Sequence, residues 1–220
     1  MAYLKLKLIM KILLISGGNH PFEKTTPILE KLFYENQKKV KVTESAKELE
    51  SKNFDFDLIV LNTLRQKSYK NDFTNNQQKG LKKLISEGVG LVSIHIAAAS
   101  CPDWEEMKNI TGGGWVTNGK SWHPPIGWFK VKINDKNHPI VEGVTEFWTY
   151  DECYCDLDYK DNNHTFISGS VDNKIMPIGW SSKYGKGIVS NISLGHSDTG
   201  QNHPMFQKLI LNSLNFVYKK

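Results

Sequence analysis

Residues 90–100 read GLVSIHIAAAS, and this stretch decides the fold. GLVSI is apolar without alternation, the pattern of a strand buried on both faces of a parallel sheet. His95 ends the run, and the small residues after it read as a sharp turn into a helix start. A turn of that kind lifts one side chain above the carboxyl edge of an α/β sheet. Upstream, Asn75–Glu87 carries Leu81, Leu84 and Ile85 on one face and stops at Gly88, a helix C-cap. DLIVLN at Asp57–Asn62 and Met10–Ser16 are further apolar strands, the latter closed by Gly17-Gly18. Between them, Thr25–Lys38 spaces Ile28, Leu29, Leu32 and Phe33 as a helix, and Lys39–Thr43 alternates as a short strand. Downstream, strands are expected over Trp128–Ile133, Phe147–Asp156, His164–Val171, Met176–Trp180 and Lys186–Leu194. A polar turn is expected at Asp135–Gly143, and Pro204–Tyr218 forms a closing helix. The β-α-β-α-β rhythm of the first half predicts a mainly parallel sheet covered by helices on both faces. Sites in such sheets lie at the carboxyl ends of the strands.

The chain has 220 residues, 39% hydrophobic and 23% charged, enough for a core without staples. One domain over residues 10–220 is the simplest reading, with residues 1–9 an extension ahead of a natural start at Met10. The middle region then elaborates one sheet edge and the mouth of the site. The net charge of +5 comes from 28 basic residues, of which only Arg65 is arginine. Bidentate recognition of phosphates and guanine edges favours arginine, and the lysines are interleaved with acids, so no nucleic-acid partner is expected. No apolar run approaches the roughly 20 residues of a membrane span. Cys101, Cys153 and Cys155 offer neither an even disulfide framework nor CxxC, which suits a cytoplasmic protein. No GxxxxGK[ST], GxGxxG or HExxH motif is present, and an oligomer of identical chains is left open.

Histidines and acids carry what chemistry the sequence offers. His95 and His196, the latter in SLGHSD, each follow a buried strand and can converge on one crevice. Asp151-Glu152-Cys153-Tyr154 is the main acidic cluster; on a strand, Glu152 and Tyr154 share a face and Asp151 points away. His95, Glu152 and His196 are therefore the candidate acid–base residues. Trp122 and His123 follow a glycine run, with Trp115 and Trp128 nearby, and flat rings suit a sugar. Gly18 and His20 occupy the first strand-end loop. Gly18, His20, Trp122, His123, Asp151 and Tyr154 are the candidate substrate contacts. A divalent ion, if held, would draw on His95, His123, Glu152 and His196, brought together by the fold. The plainer alternatives are a turn histidine at each strand end and core packing for each ring. His138-Pro139 and His203-Pro204 read as turn and helix-start residues, His164 as exposed, and Cys101 as a small buried thiol.

Several motifs in order resemble the ThuA-like (trehalose utilisation) family: GGNHP, GLVSIH, GGGW leading to WHPP, VKINDKNHPIVEGV, FWTYDECY, MPIGW, GKGIVSNISLGH and the final HPMF. The resemblance runs from about Lys11 to Lys220. It implies a flavodoxin-like, three-layer α/β sandwich of the class I glutamine amidotransferase-like superfamily. In those enzymes a catalytic cysteine sits at the elbow that His95 occupies here, so the thioester route of a glutaminase is closed to this chain. The family is linked to the use of trehalose and oxidised (keto) sugars. The resemblance implies a carbohydrate-active lyase, isomerase or hydrolase with His/Glu or metal-assisted chemistry and a small sugar as partner. The alternative is a non-catalytic sugar-binding or assembly protein on the same scaffold. A hydrolase using Cys101 is the third reading.

Overall fold

A computed structural model describes residues 9–116 and 119–218. The proposed extension over residues 1–9 falls almost wholly outside the described residues. Met10 is buried, 4% exposed, and packs into the core beside β1 (Lys11–Gly17). The chain continues through α1 (Phe22–Glu35), β2 (Lys39–Thr43), β3 (Leu58–Thr63), α2 (Asn75–Glu87) and β4 (Gly90–Ile94). Then come α3 (Glu106–Thr111), β5 (Gly113–Gly114), β6 (Gly127–Ile133), β7 (Phe147–Asp151) and β8 (Asp158–Tyr159). The last elements are β9 (His164–Val171), β10 (Lys174–Tyr184), β11 (Gly187–Ile192), α4 (Asp198–Gln201) and α5 (Pro204–Val217).

Nine strands form one sheet in the order β2-β1-β3-β4-β11-β10-β9-β6-β7. The first five are mutually parallel, and the remaining pairings are antiparallel. The expected α/β sandwich is thus present, widened at one edge by an antiparallel extension. Successive residues of the parallel strands face opposite sides, as the pleat dictates. Ile12, Leu14, Val60 and Val92 pack with Leu29 and Phe33 of α1 and Leu209 of α5. Leu13, Ile15, Ile59 and Leu91 pack with Leu81 and Ile85 of α2 and Met107 of α3. Both faces are covered, which is why these strands read as unbroken apolar runs.

Helix α2 matches its expected span, because its ends are chemically marked. Thr74 and Gln77 form a reciprocal capping box, and Gly88 takes φ +123° beyond the last turn. Helix α1 begins at Phe22, ahead of the apolar periodicity. Phe22 packs with Leu64 and Ile96 above the sheet, and this draws the preceding turn into the helix despite Pro27 inside it. The segment after β4 is a five-residue 3-10 turn, His95–Ala99, rather than the start of a longer helix. Strand β7 stops at Asp151, short of the expected Asp156, and the chain next pairs at a lone bridge between Trp122 and Cys155. β10 runs eleven residues because polar Ser181, Ser182 and Lys183 still pair with β11.

Candidate active site at the carboxyl ends of the parallel strands

Strand β1 hands on to β2 on one side and sits beside β3 on the other, and the crevice of an open sheet lies above such a reversal. Glycine shapes the first loop there. Gly18 has φ +123°, and a Cβ on it would lie 2.1 Å from the Leu64 carbonyl oxygen. Only glycine lets the loop after β1 lie on the loop after β3. Gly18 is thus a backbone hinge for His20, which follows it. Arg65, the one arginine, braces the same edge. Its guanidinium donates to the Ser16 carbonyl at 2.5 Å and to Thr63 Oγ1 at 2.8 Å, across the ends of β1 and β3.

His95 sits directly above β4 with φ +54°, a left-handed conformation that costs a side-chain-bearing residue about 1 kcal/mol or more. The backbone is turned as in a nucleophile elbow, with imidazole as the side chain presented. His95 is 3% exposed. Its Nδ1 faces the Ser193 carbonyl at 3.4 Å, which leaves Nε2 as the acceptor for the Tyr154 hydroxyl at 2.8 Å. The same Nε2 lies 3.2 Å from His196 Nδ1 and 3.5 Å from Glu152 Oε2. His196 Nδ1 is 3.2 Å from that Glu152 oxygen. His123 Nε2 stands 3.8 Å from the other oxygen, Oε1. The His20 ring lies 5.3 Å from the rings of both His95 and His196.

Glu152 and Tyr154 reach the site side by side, as alternate residues should. Asp151 points away, into the protein, and is 1% exposed. Its carboxylate accepts the backbone N–H groups of Gly195 at 2.7 Å and His196 at 3.1 Å, and that of Glu152 at 2.8 Å. It lies behind the crevice as the clamp that fixes both the His196 loop and Glu152, a placement that leaves its oxygens engaged by amides rather than turned to a ligand. Trp122 is 38% exposed and donates its Nε1–H to Asp156 at 2.8 Å. Its backbone pairing with Cys155 brings His123 beside Tyr154 and Trp115, whose rings stand 5.6 Å from the His123 ring.

The electrostatics divide the site into unlike halves. Burial, with His20 nearby, holds His95 well below the usual imidazole range, so it is neutral. Burial lowers His20 too. Burial works to raise Glu152, but the hydrogen bond from His196 and the surrounding imidazoles outweigh it and hold the carboxyl at about 2. Glu152 in turn raises His196. Burial pushes Tyr154 well above the ordinary phenol value. Among the described residues, His20, His95, Glu152 and His196 form a group whose donor atoms all lie within 4.8 Å of one another. His20 therefore stands where the sequence reading had placed His123, which borders the group from beyond Glu152.

The remaining sequence candidates lie elsewhere. His138 and His203 accept the N–H two residues on, from Ile140 and Met205; His138 opens a short 3-10 turn and His203 caps the start of α5. His164 pairs on the surface with Asp135 at 2.9 Å. Cys101 is 1% exposed, and burial pushes its thiol far up, so no thiolate is available there. The three cysteines are free. Two supports carried no sequence signal: the Ser193 carbonyl behind His95, and Gln201, which donates to the Gly195 carbonyl at 3.1 Å and to Asn62 at 3.3 Å.

The sequence profile of the ThuA family, described as trehalose utilisation, matches residues 11–217. The chain belongs to the ThuA family. No curated protein matches it. Among solved structures, a ThuA-like protein from Parabacteroides merdae superposes with a TM-score of 0.82 at 18% identity, covering 96% of this chain and 90% of that one. A cytoplasmic protein from Salmonella typhimurium gives 0.72 at 13% identity over 96% and 100%. A glutamine amidotransferase from Thermotoga maritima gives 0.60 at 13% identity over 96% and 99%. At these identities the likeness is one of fold. Within the ThuA fold, this chain carries histidine on the elbow after β4. No described helix is long and apolar enough to cross a membrane.

Proposed function

We propose that this ThuA-family chain is a cytoplasmic enzyme of carbohydrate metabolism that acts on a carbonyl-bearing (keto) sugar through proton transfer. One observation carries the reading. A neutral imidazole, an imidazole–carboxylate pair and a phenol meet within hydrogen-bond reach at the strand ends. Environments that push like groups apart in pKa assign acid and base roles. His95, neutral, turns its Nε2 lone pair to the site, where the C–H beside a ketone would replace the Tyr154 hydroxyl as its partner. His196, whose protonated form Glu152 favours, donates toward the ketone oxygen, where negative charge grows as the C–H bond breaks. Tyr154 is placed to return a proton to a departing oxygen, which completes an elimination; return to carbon completes an isomerisation.

The surroundings support a sugar. Trp115, Trp122 and His123 border the cluster, and β6 and β7 carry exposed Trp128, Trp148 and Tyr150. The family description, trehalose utilisation, points the same way. Incubating the purified protein with 3-keto-disaccharides and following product by mass spectrometry tests the reading. Turnover that falls by a hundredfold or more in His95→Gln supports it. Sugar binding without turnover, unaffected by that substitution, would instead favour the non-catalytic alternative.

A further inference from the structure

The spacing of three of the four clustered donors also suits an ion. Ligand atoms about 2.1 Å from a tetrahedral ion stand about 3.4 Å from each other. The separations here are 3.2 Å for His95 to His196, 3.2 Å for His196 to Glu152, and 3.5 Å for His95 to Glu152. His20 completes the group from the loop after β1. In two of the three rings the second nitrogen is engaged as in metal-bound histidines. Nδ1 of His95 faces the Ser193 carbonyl and Nδ1 of His20 faces the Asn19 carbonyl, so Nε2 is the nitrogen each ring would offer an ion, at His95 in place of the Tyr154 hydroxyl it accepts. His95 is nine-tenths or more buried, and its Nε2 points into the group. The donors come from four separate chain segments, so sequence spacing could not reveal them.

We propose that His20, His95, Glu152 and His196 hold a divalent transition-metal ion of the zinc class, with Tyr154 and His123 bordering the site. Three imidazoles and one carboxylate suit such an ion over calcium or magnesium, which prefer all-oxygen shells. The inference deepens the sugar reading and rests on it for its purpose. With an ion bound, His95 and His196 would serve as ligands in place of their acid–base roles, and the ion would supply the positive charge beside Glu152. It would polarise the ketone oxygen of the substrate as a Lewis acid. His123, 3.8 Å from the outer Glu152 oxygen, then positions the carboxylate.

The test is metal binding by the full chain with no sugar present. Protein stripped with a chelator is titrated with Zn²⁺ and, in parallel, with Co²⁺, whose visible absorption reports nitrogen and oxygen ligands. One ion per chain is expected, with affinity weakened tenfold or more in His20→Ala and Glu152→Gln and unchanged in the surface control His164→Ala. A chain that takes up neither ion overturns the proposal. So do His20→Ala and Glu152→Gln variants that bind as tightly as the parent. Because stoichiometry is read without substrate, a failed turnover assay does not touch this result. Turnover that survives complete removal of the ion would overturn the ion's role and leave the sugar reading standing.

Discussion

His95 is held against its backbone preference. At φ +54° a Cβ crowds the following carbonyl, whereas glycine adopts this conformation freely. Two variants separate the strain from the side chain. His95→Ala and His95→Gly both remove the imidazole, but only alanine keeps the strain. His95→Gly is expected to be the more stable by about 1 kcal/mol, read as a higher denaturant midpoint. Equal midpoints would show that the turn is relaxed around histidine. At this scale much of the site was legible. His95 and His196 stood out because each ends a buried strand, and Glu152 and Tyr154 because alternation puts them on one side. His20 is a ligand candidate that spacing could not separate from a loop histidine. The clamp role of Asp151 was hidden as well. Its partners are backbone amides 44 and 45 residues away, and an amide leaves no mark on the sequence.

Elements were read where burial is uniform or ends are capped. The parallel strands show as apolar runs and α2 as a capped amphipathic helix. The six-residue α3 and the four-residue α4 were not read, because one or two turns cannot establish a period. The β6–β7 ribbon carries its own expectation. Trp128 pairs across the ribbon with Tyr150, rings 5.6 Å apart, and Lys130 pairs with Trp148. Along β7, Trp148 and Tyr150 are exposed between buried Phe147, Thr149 and Asp151. By the same alternation Tyr150 and Glu152 lie on one side, about 7 Å apart along the chain. On the proposed reading this row would offer flat faces to a second sugar ring beside the histidine–carboxylate cluster. Trp128→Ala and Tyr150→Ala together are expected to raise KM for a keto-disaccharide about fivefold or more, near 1 kcal/mol, with kcat little changed. An unchanged KM would remove the row from the binding surface.

Across the whole molecule, stability should depend on pH through a residue far from the site. His138 is buried between the Phe166 and Phe216 rings, with Nε2 3.0 Å from Ser181 Oγ. The titratable groups facing it are His164, ring to ring at 4.8 Å, and Asp135, which His164 engages. Burial, aided by the neighbouring His164, pulls His138 down to about 4. At His138 the folded chain therefore binds fewer protons than the unfolded chain between pH 4 and about 6.5. The contribution of this residue to stability is complete above that window and falls as the pH drops through it, by an amount on the order of 2 kcal/mol. His138→Asn keeps an acceptor for the Ile140 N–H and should flatten this part of the profile in urea melts taken from pH 4 to 7. An equally steep profile in the variant would assign the loss to other groups.

The division of the sheet into a parallel and an antiparallel half has a consequence for how such proteins diversify. His20, His95 and His196 come from the parallel half, while His123, Glu152, Tyr154 and the aromatic row come from the antiparallel half or the segments around it. One half is a socket and the other a fitting. A chimera that keeps residues 10–111 and 187–218 but takes the intervening strands from another ThuA relative would retain three imidazoles in place. It would receive a new carboxylate and a new sugar-facing wall, so substrate choice could be exchanged as a cassette without rebuilding the core.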